Sequence, residues 1–123
     1  MSLEFKNKYG TVSIQEDIVV YITGVAVNEC DKVVGLAARN MKDGLVKLLK
    51  NDKLSRGVKI KFEENTLDID VHVVVEYGSK IMEVADFIIG RVKYRVEEFT
   101  GLVVNKVNVF VEGLHVNNYS NQI

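Results

Sequence analysis

The strongest constraint on the fold is a change of hydrophobic period between residues 57 and 111. Val58–Phe62 alternates apolar and charged residues, Leu67–Val73 does the same, and the polar link Glu63–Asn65 separates the two runs. Successive side chains of a strand point to opposite faces, so each run predicts a strand with one buried face. Two such runs joined by a short polar link predict an antiparallel β-hairpin.

After this hairpin the apolar residues recur every three or four positions. The residues with this longer spacing are Ile81, Val84, Ala85, Ile88, Val92, Val96 and Phe99. They form one stripe of an α-helix, which Thr100-Gly101 ends. Val103–Val111 returns to alternation and predicts a closing strand. If this strand runs parallel to the strand that begins at Leu67, the helix between them is a right-handed crossover.

The rest of the chain supplies shorter elements around this unit. In chain order these are a loose arm at residues 1–8, a strand at Tyr9–Ile14, a helix at Ile18–Cys30, a strand at Val33–Ala38, a short basic amphipathic helix at residues 39–54 and a polar tail at residues 117–123. The Ile18–Cys30 helix is apolar almost all round, which predicts burial on more than one side. We interpret the basic helix as a connection that covers one end of the sheet, with a position on a membrane surface as the alternative.

These elements predict one α+β domain over residues 1–123, with flexible ends at residues 1–8 and 117–123. The expected architecture is a two-layer sandwich, in which a mixed β-sheet of about five strands carries the two main helices on one face. The expected order of elements is β-α-β-(short α)-β-β-α-β.

Charge and cysteine content bound the cellular setting and the class of partner. With 16 basic and 17 acidic residues the net charge is −1, which disfavours binding nucleic acid mainly through phosphate neutralisation. No apolar run reaches the roughly 18 residues of a membrane span, and the N-terminus lacks the pattern of a signal peptide. Cys30 is the only cysteine, which fits a reducing compartment. We therefore expect a cytoplasmic protein without direct membrane insertion.

The sequence contains no catalytic or metal-binding constellation. His72, His115 and Cys30 are far apart, and none has a second ligand at helix or turn spacing. We interpret His72 as an exposed strand histidine and Cys30 as a small apolar residue of the core. Asp68 and Asp70 share the outer face of a strand, so we expect solvated carboxylates rather than an acid–base pair. The glycines form no phosphate-binding motif, and we predict a non-enzymatic protein without a cofactor or a metal.

One cluster on the long helix has the composition of an interface. Phe87, Arg91, Tyr94 and Arg95 lie near one another, off the main apolar stripe. Aromatic residues and arginine are enriched in protein interfaces, so these four residues are the predicted partner-binding site. The alternative is a wide buried face whose arginines extend their charged ends to the solvent.

Five short patterns follow one another in an order that resembles a known family. They are Tyr9-Gly10-x-Val12-x-Ile14, Val33-Val34-Gly35-Leu36, Arg56-Gly57-Val58-Lys59-Ile60, Val73-x-Val75-x-Tyr77-Gly78-x-x-Ile81-x-x-Val84-Ala85 and Thr100-Gly101-Leu102-x-Val104-x-x-Val107-Asn108-Val109-x-Val111-x-Gly113. Together they are similar to the alkaline-shock-protein family of bacteria, also called the envelope stress response domain. The resemblance covers Tyr9 to Val116 and is greatest for the short, single-domain members of Gram-positive bacteria.

The resemblance implies a small, non-enzymatic cytoplasmic protein of the cell-envelope or alkaline stress response. Some members of that family are held at the membrane by a membrane-protein partner, and others are linked to lipid metabolism. We therefore expect a structural or adaptor protein that self-associates as a homo-oligomer and binds a protein partner, such as a small membrane protein, near the inner membrane face. The alternatives are a regulatory partner in lipid metabolism and a nucleic-acid-binding module that would use Lys42, Lys47, Lys50, Lys53, Arg56 and Lys59.

Overall fold

The computed structural model describes residues 2–37 and 56–116. The elements in these ranges are β1 (Ser2–Asn7), β2 (Gly10–Gln15), α1 (Glu16–Asn28), β3 (Val33–Leu36), β4 (Val58–Glu63), β5 (Thr66–Glu76), α2 (Ile81–Thr100) and β6 (Val103–His115). The predicted α+β class is confirmed, and so are the hairpin, the long helix and the closing strand. The predicted helix at residues 39–54 and the tail at residues 117–123 lie outside the described residues.

Strand β5 is the centre of the main sheet. β6 lies parallel to β5 along one edge, in register from Thr66↔Val103 to Glu76↔His115. Two antiparallel strands share the other edge, with β4 beside the first half of β5 and β3 beside the second half. The path from β5 through α2 to β6 is therefore a crossover between parallel strands, and the sheet is mixed, as predicted.

The two N-terminal strands form a separate antiparallel sheet. The interpretation of residues 1–8 as a loose arm is wrong for Ser2–Asn7, since all six of these residues pair with β2 and Leu3 is buried in the core. The strand predicted at Tyr9–Ile14 exists, but it pairs with β1 instead of joining the main sheet. Among the described residues the main sheet therefore has four strands rather than about five.

Both helices cover one face of the main sheet, and the core lies between them and β5. The fully buried side chains of β5 are the odd-numbered Leu67, Ile69, Val71, Val73 and Val75. They pack in one cluster with Val19, Val27, Val84, Ile88, Val92 and Val96 of the two helices. The even-numbered side chains of β5 lie on the opposite face, which the helices leave open. The prediction of two layers with both helices on one face is confirmed.

The buried stripe of α2 is shorter than the sequence pattern predicts. Its middle is buried from Val84 to Val96, but Ile81 and Phe99 are exposed by 40% and 66%. Both residues lie in the terminal turns of α2. Their assignment to the buried stripe is therefore wrong, although the spacing of three residues is correct for one helical face.

A carboxylate joins the end of α2 to the beginning of β6. The Val104 N–H donates a 2.9 Å hydrogen bond to Glu97 Oε2, and Lys93 Nζ donates to the same oxygen at 3.0 Å. Lys93 also donates to the Val104 carbonyl oxygen at 3.0 Å. Gly101 makes the reversal between these elements possible, because its φ of 75° lies in the left-handed region. A residue with a Cβ atom would be strained in this conformation.

We expect Glu97→Gln to destabilise the protein in a pH-dependent manner. The Val104 N–H, and then Lys93, hold the pKa of Glu97 below its usual value of 4.5. A carboxyl group with a lowered pKa stabilises the folded state above its unfolded-state pKa, and this contribution is lost as the pH falls through the folded-state pKa. At neutral pH we expect a loss of about 1 kcal/mol, since solvent screens this partly exposed group.

Urea unfolding of the wild type and the variant between about pH 7 and about pH 3 measures this effect. The difference in the free energy of unfolding should be largest near neutral pH and should shrink below the ordinary carboxyl pKa. Glu64→Gln, in the exposed β4–β5 turn, is the matched control and should change little at any pH. A Glu97→Gln difference that stayed constant with pH would contradict the assigned role of this carboxylate.

Candidate partner-binding surface

The four predicted partner-binding residues lie together on the outer side of α2. Phe87 and Tyr94 are exposed by 41% and 54%, so the alternative of a wide buried face is wrong for both aromatic rings. Each ring is covered by an arginine, with Arg91 Cζ 5.2 Å from the Phe87 centroid and Arg95 Cζ 5.6 Å from the Tyr94 centroid. These are cation–π contacts, which hold the planar guanidinium groups against the rings.

Glu29, at the end of α1, ties both arginines to the neighbouring helix. Arg91 Nε lies 3.3 Å from Glu29 Oε1, and Arg95 Nη2 lies 3.0 Å from Glu29 Oε2. Arg95 also contacts Glu98 Oε1 at 3.3 Å, and the Tyr94 hydroxyl donates to the other Glu98 oxygen at 3.2 Å. The hydrogen bond to Glu29 is the main cause of a raised pKa at Arg95. Two arginines are thus matched by two carboxylates, and this cluster carries almost no net charge.

A second group of exposed apolar side chains lies beside this cluster. Ile18, Tyr21 and Val25 of α1 and Phe99 of α2 are all exposed. With Ile22, Glu29 and Arg95 they line a groove of about 610 Å³ between the two helices. A shallower depression of about 460 Å³ lies at Asp86, Phe87, Gly90, Arg91 and Tyr94. We call this whole surface the helical face and define it as Ile18, Tyr21, Ile22, Val25, Glu29, Phe87, Arg91, Tyr94, Arg95 and Phe99.

The α1 half of the helical face did not emerge from the sequence pattern. The apolar character of α1 all round predicted burial on more than one side, which is wrong for Ile18, Tyr21 and Val25. α1 buries Val19, Val27 and their neighbours against the sheet, while its outer side faces away from the core. The available signal was the apolar excess itself, because apolar residues beyond those needed for one buried face also mark interaction surfaces.

The residues considered for catalysis are dispersed over the open face of the sheet and the core. His72 is paired rather than simply exposed, since its Nδ1 lies 2.6 Å from Glu112 Oε2 and its ring stacks on Phe110. Asp68 and Asp70 lie partly exposed on the open face of the sheet, as predicted, and each accepts a hydrogen bond from an asparagine side chain of β6. Cys30 is buried, as predicted.

Within residues 2–37 and 56–116 no group of three or more His, Cys, Asp or Glu side chains could hold a metal ion. Neither described helix is both long enough and apolar enough to span a membrane. Of the lysines and arginine proposed for nucleic acid, only Arg56 and Lys59 fall in the described residues. The described part of the chain therefore offers the helical face as its best candidate site.

Comparison with known proteins identifies relatives of this chain. A family model for alkaline shock protein 23, described by a cell envelope-related function, matches residues 4–116. The chain is 40% identical over 119 residues to the uncharacterized protein YloU of Bacillus subtilis, covering 96% of this chain and 99% of that protein. It is 32% identical to the uncharacterized protein Spy1614 of Streptococcus pyogenes, covering 94% and 97% of the two chains. A stress response regulator gls24 homolog of Streptococcus pyogenes is 27% identical over 83% of this chain, which spans 57% of that protein.

Proposed function

This chain belongs to the alkaline shock protein 23 family, which is described by a cell envelope-related function. We propose that it acts as a non-enzymatic adaptor at the cell envelope. The resemblance predicted from the sequence patterns is thereby confirmed. The family description and the relatives named stress response regulators support a role in cell-envelope stress. The proposed adaptor works from the cytoplasm, by binding a protein partner near the inner face of the membrane.

The observation that carries this proposal is the helical face. It presents two exposed aromatic residues, Tyr21 and Phe99, beside a groove, and two more, Phe87 and Tyr94, under arginines. Contiguous exposed apolar surface on a soluble protein marks interaction sites. Tyrosine and arginine are also the residue types that dominate binding energy at protein interfaces.

The shape and charge of the helical face favour an amphipathic helix of a protein partner as its occupant. A groove between two packed helices accepts the apolar ridge of a third helix. Arg91 and Arg95 are already paired with Glu29 and Glu98, so little positive charge remains to attract an anionic lipid surface or a phosphate backbone. Apolar contact, rather than charge attraction, should therefore provide most of the affinity.

Site-specific photo-cross-linking in the organism that encodes the chain tests this proposal. A photoreactive phenylalanine analogue at Phe99 or at Tyr94 should cross-link one cell-envelope protein through an apolar helical segment. The same analogue at Val12, which is exposed on β2 and is not part of the helical face, is the control and should not cross-link that protein. A synthetic peptide of the identified segment should then bind the purified protein, and a Phe87→Ser, Tyr94→Ser variant should bind it at least about tenfold more weakly.

Three results would remove the adaptor proposal. Cross-links from Val12 to the same protein would show that the contact is not specific to the helical face. A cross-linked RNA, recovered equally with the Phe87→Ser, Tyr94→Ser variant, would assign the function to nucleic acid instead. A variant that unfolds would show that these side chains support the fold, which urea unfolding of the purified variant distinguishes from lost binding.

A further inference from the structure

Strand β6 is a long edge strand of the main sheet. It has 13 residues, and among the described residues it pairs with β5 alone. An edge strand presents unpaired backbone groups to any other strand, and proteins commonly block this with proline, a short length or a covering element. The chain has no proline, and β6 is its longest strand in the described ranges. Within residues 2–37 and 56–116 no strand pairs with the outer edge of β6, so this edge can accept a further strand.

The register identifies which backbone groups of β6 are available. His72 of β5 directs both its backbone groups away from β6, since its N–H donates to Gly57 at 2.9 Å and its carbonyl accepts from Ala37 at 2.8 Å. Phe110 is the register partner of His72. In a parallel ladder only one member of each register pair bonds across to the other strand, so here Phe110 must bond to β5.

The neighbours of Phe110 consequently face outward. Backbone groups alternate in direction along a strand, so the N–H and carbonyl groups of Val107, Val109 and Val111 point away from β5. One β-bulge lies before Lys106 and another after Val111, where the register with β5 shifts. The stretch between the bulges is regular, and its outward groups belong to three valines.

We propose that β6 pairs antiparallel with β6 of a second copy of this chain, about a twofold axis at Val109. This pairing would join two four-stranded sheets into one continuous sheet of eight strands. A twofold interface requires a self-complementary patch, and β6 meets this requirement. Val109 faces its own equivalent across the axis, and Val107 faces Val111 of the second copy.

The charges of β6 select this axis. With the axis at Val109, Lys106 of each copy comes opposite Glu112 of the other on the open face of the sheet, where Glu112 lies in the second bulge and one of its oxygens also contacts His72 of its own copy. Opposite charges directly across an antiparallel pair are stabilising. An axis one residue later, at Phe110, would place Lys106 opposite Leu114 of the other copy and would remove this pair of opposite charges between the copies. Half-buried Val109 and Val111 would gain burial in the pairing, because they extend the core layer to the sheet edge.

Sedimentation equilibrium of the full chain over a wide range of protein concentration measures the expected dimer. Lys106→Glu places like charges opposite each other twice in the dimer, so it should weaken association by about tenfold or more. Lys59→Glu is the matched control, since Lys59 lies on the same open face but on β4, at the opposite edge of the sheet. The control should associate as the wild type does.

Amide hydrogen exchange provides a second measurement that does not depend on a variant. The amides of Val107, Val109 and Val111 should become protected as the dimer forms, whereas those of Asn108 and Phe110 should be protected at every concentration by β5. A protein that remains monomeric, a Lys106→Glu variant that dimerises as well as Lys59→Glu, or outward amides that exchange equally at all concentrations would each overturn the proposal. In the first case β6 would remain available only to a strand of a different protein.

Discussion

Replacement of Ile88 by alanine is expected to lower the free energy of unfolding by about 3 kcal/mol. Ile88 is fully buried at the middle of α2, within the cluster that joins this helix to β5. Alanine removes three carbon atoms from a site that the rigid sheet prevents from collapsing, so the lost burial and the remaining cavity both contribute. Because a domain of this size has only about 5–15 kcal/mol of stability, the effect should be large in a urea unfolding curve.

Ile81→Ala is the matched control for this prediction. It makes the same chemical change on the same helix, but Ile81 is 40% exposed at the first turn of α2. We expect a loss of less than about 1 kcal/mol, since Ile81 already exposes 40% of its surface and its removal leaves an opening that solvent can fill rather than a buried cavity. Equal losses for the two variants would mean that the terminal turn of α2 packs as tightly as its middle, in conflict with the structure.

The main sheet and its long helix could be predicted from the sequence because their signals are local. On β5 the alternation of Leu67, Ile69 and Val71 with Asp68 and Asp70 is sufficient to decide which face is buried. The change to a spacing of three or four residues is similarly sufficient to identify α2. Each of these inferences depends only on neighbours in the sequence, and each is confirmed.

The pairing of the N-terminal strands could not be predicted in the same way. Alternation in Tyr9–Ile14 predicts a strand, but it contains no information on which strand lies beside it. The structure pairs this segment with Ser2–Asn7, in which Leu3 and Phe5 alternate with charged residues over too short a run to be distinguished from a loose arm. The choice of partner depends on where Leu3 finds burial, which is a property of the assembled core.

The candidate site could likewise be predicted from the sequence only in part. Arg91 is four residues after Phe87 and three and four residues before Tyr94 and Arg95, so the proximity of these four side chains follows from helix geometry. Glu29 is 66 residues from Arg95 in the chain, and only the packing of α1 against α2 brings it to both arginines. The exposure of Tyr21 similarly depends on which side of α1 meets the sheet, and an apolar helix does not indicate this by itself.

Combined replacement of Tyr21 and Phe99 by serine is expected to weaken binding of the proposed partner helix by about 100-fold or more. Both side chains line the 610 Å³ groove, one from each helix, and both are largely exposed in the unbound protein. Binding would bury both aromatic rings, whereas folding does not, so the free energy of unfolding should change much less than the binding free energy. Calorimetric titration with the cross-linked partner segment measures the loss.

Tyr9→Ser combined with Val12→Ser is the matched control, since it removes one exposed aromatic and one exposed aliphatic side chain from the β1–β2 hairpin. It should leave the affinity unchanged.

Comparison with Phe87→Ser, Tyr94→Ser then locates the bound helix, because Tyr21 and Phe99 line the groove whereas Phe87 and Tyr94 line the shallower depression. If both pairs of substitutions weaken binding, the partner helix contacts both the groove and the shallower depression. If only Tyr21 and Phe99 matter, the groove between α1 and α2 is the binding site, and the arginine-covered rings serve to fix α1 against α2. Full affinity in both variants would refute the helical face as the binding surface.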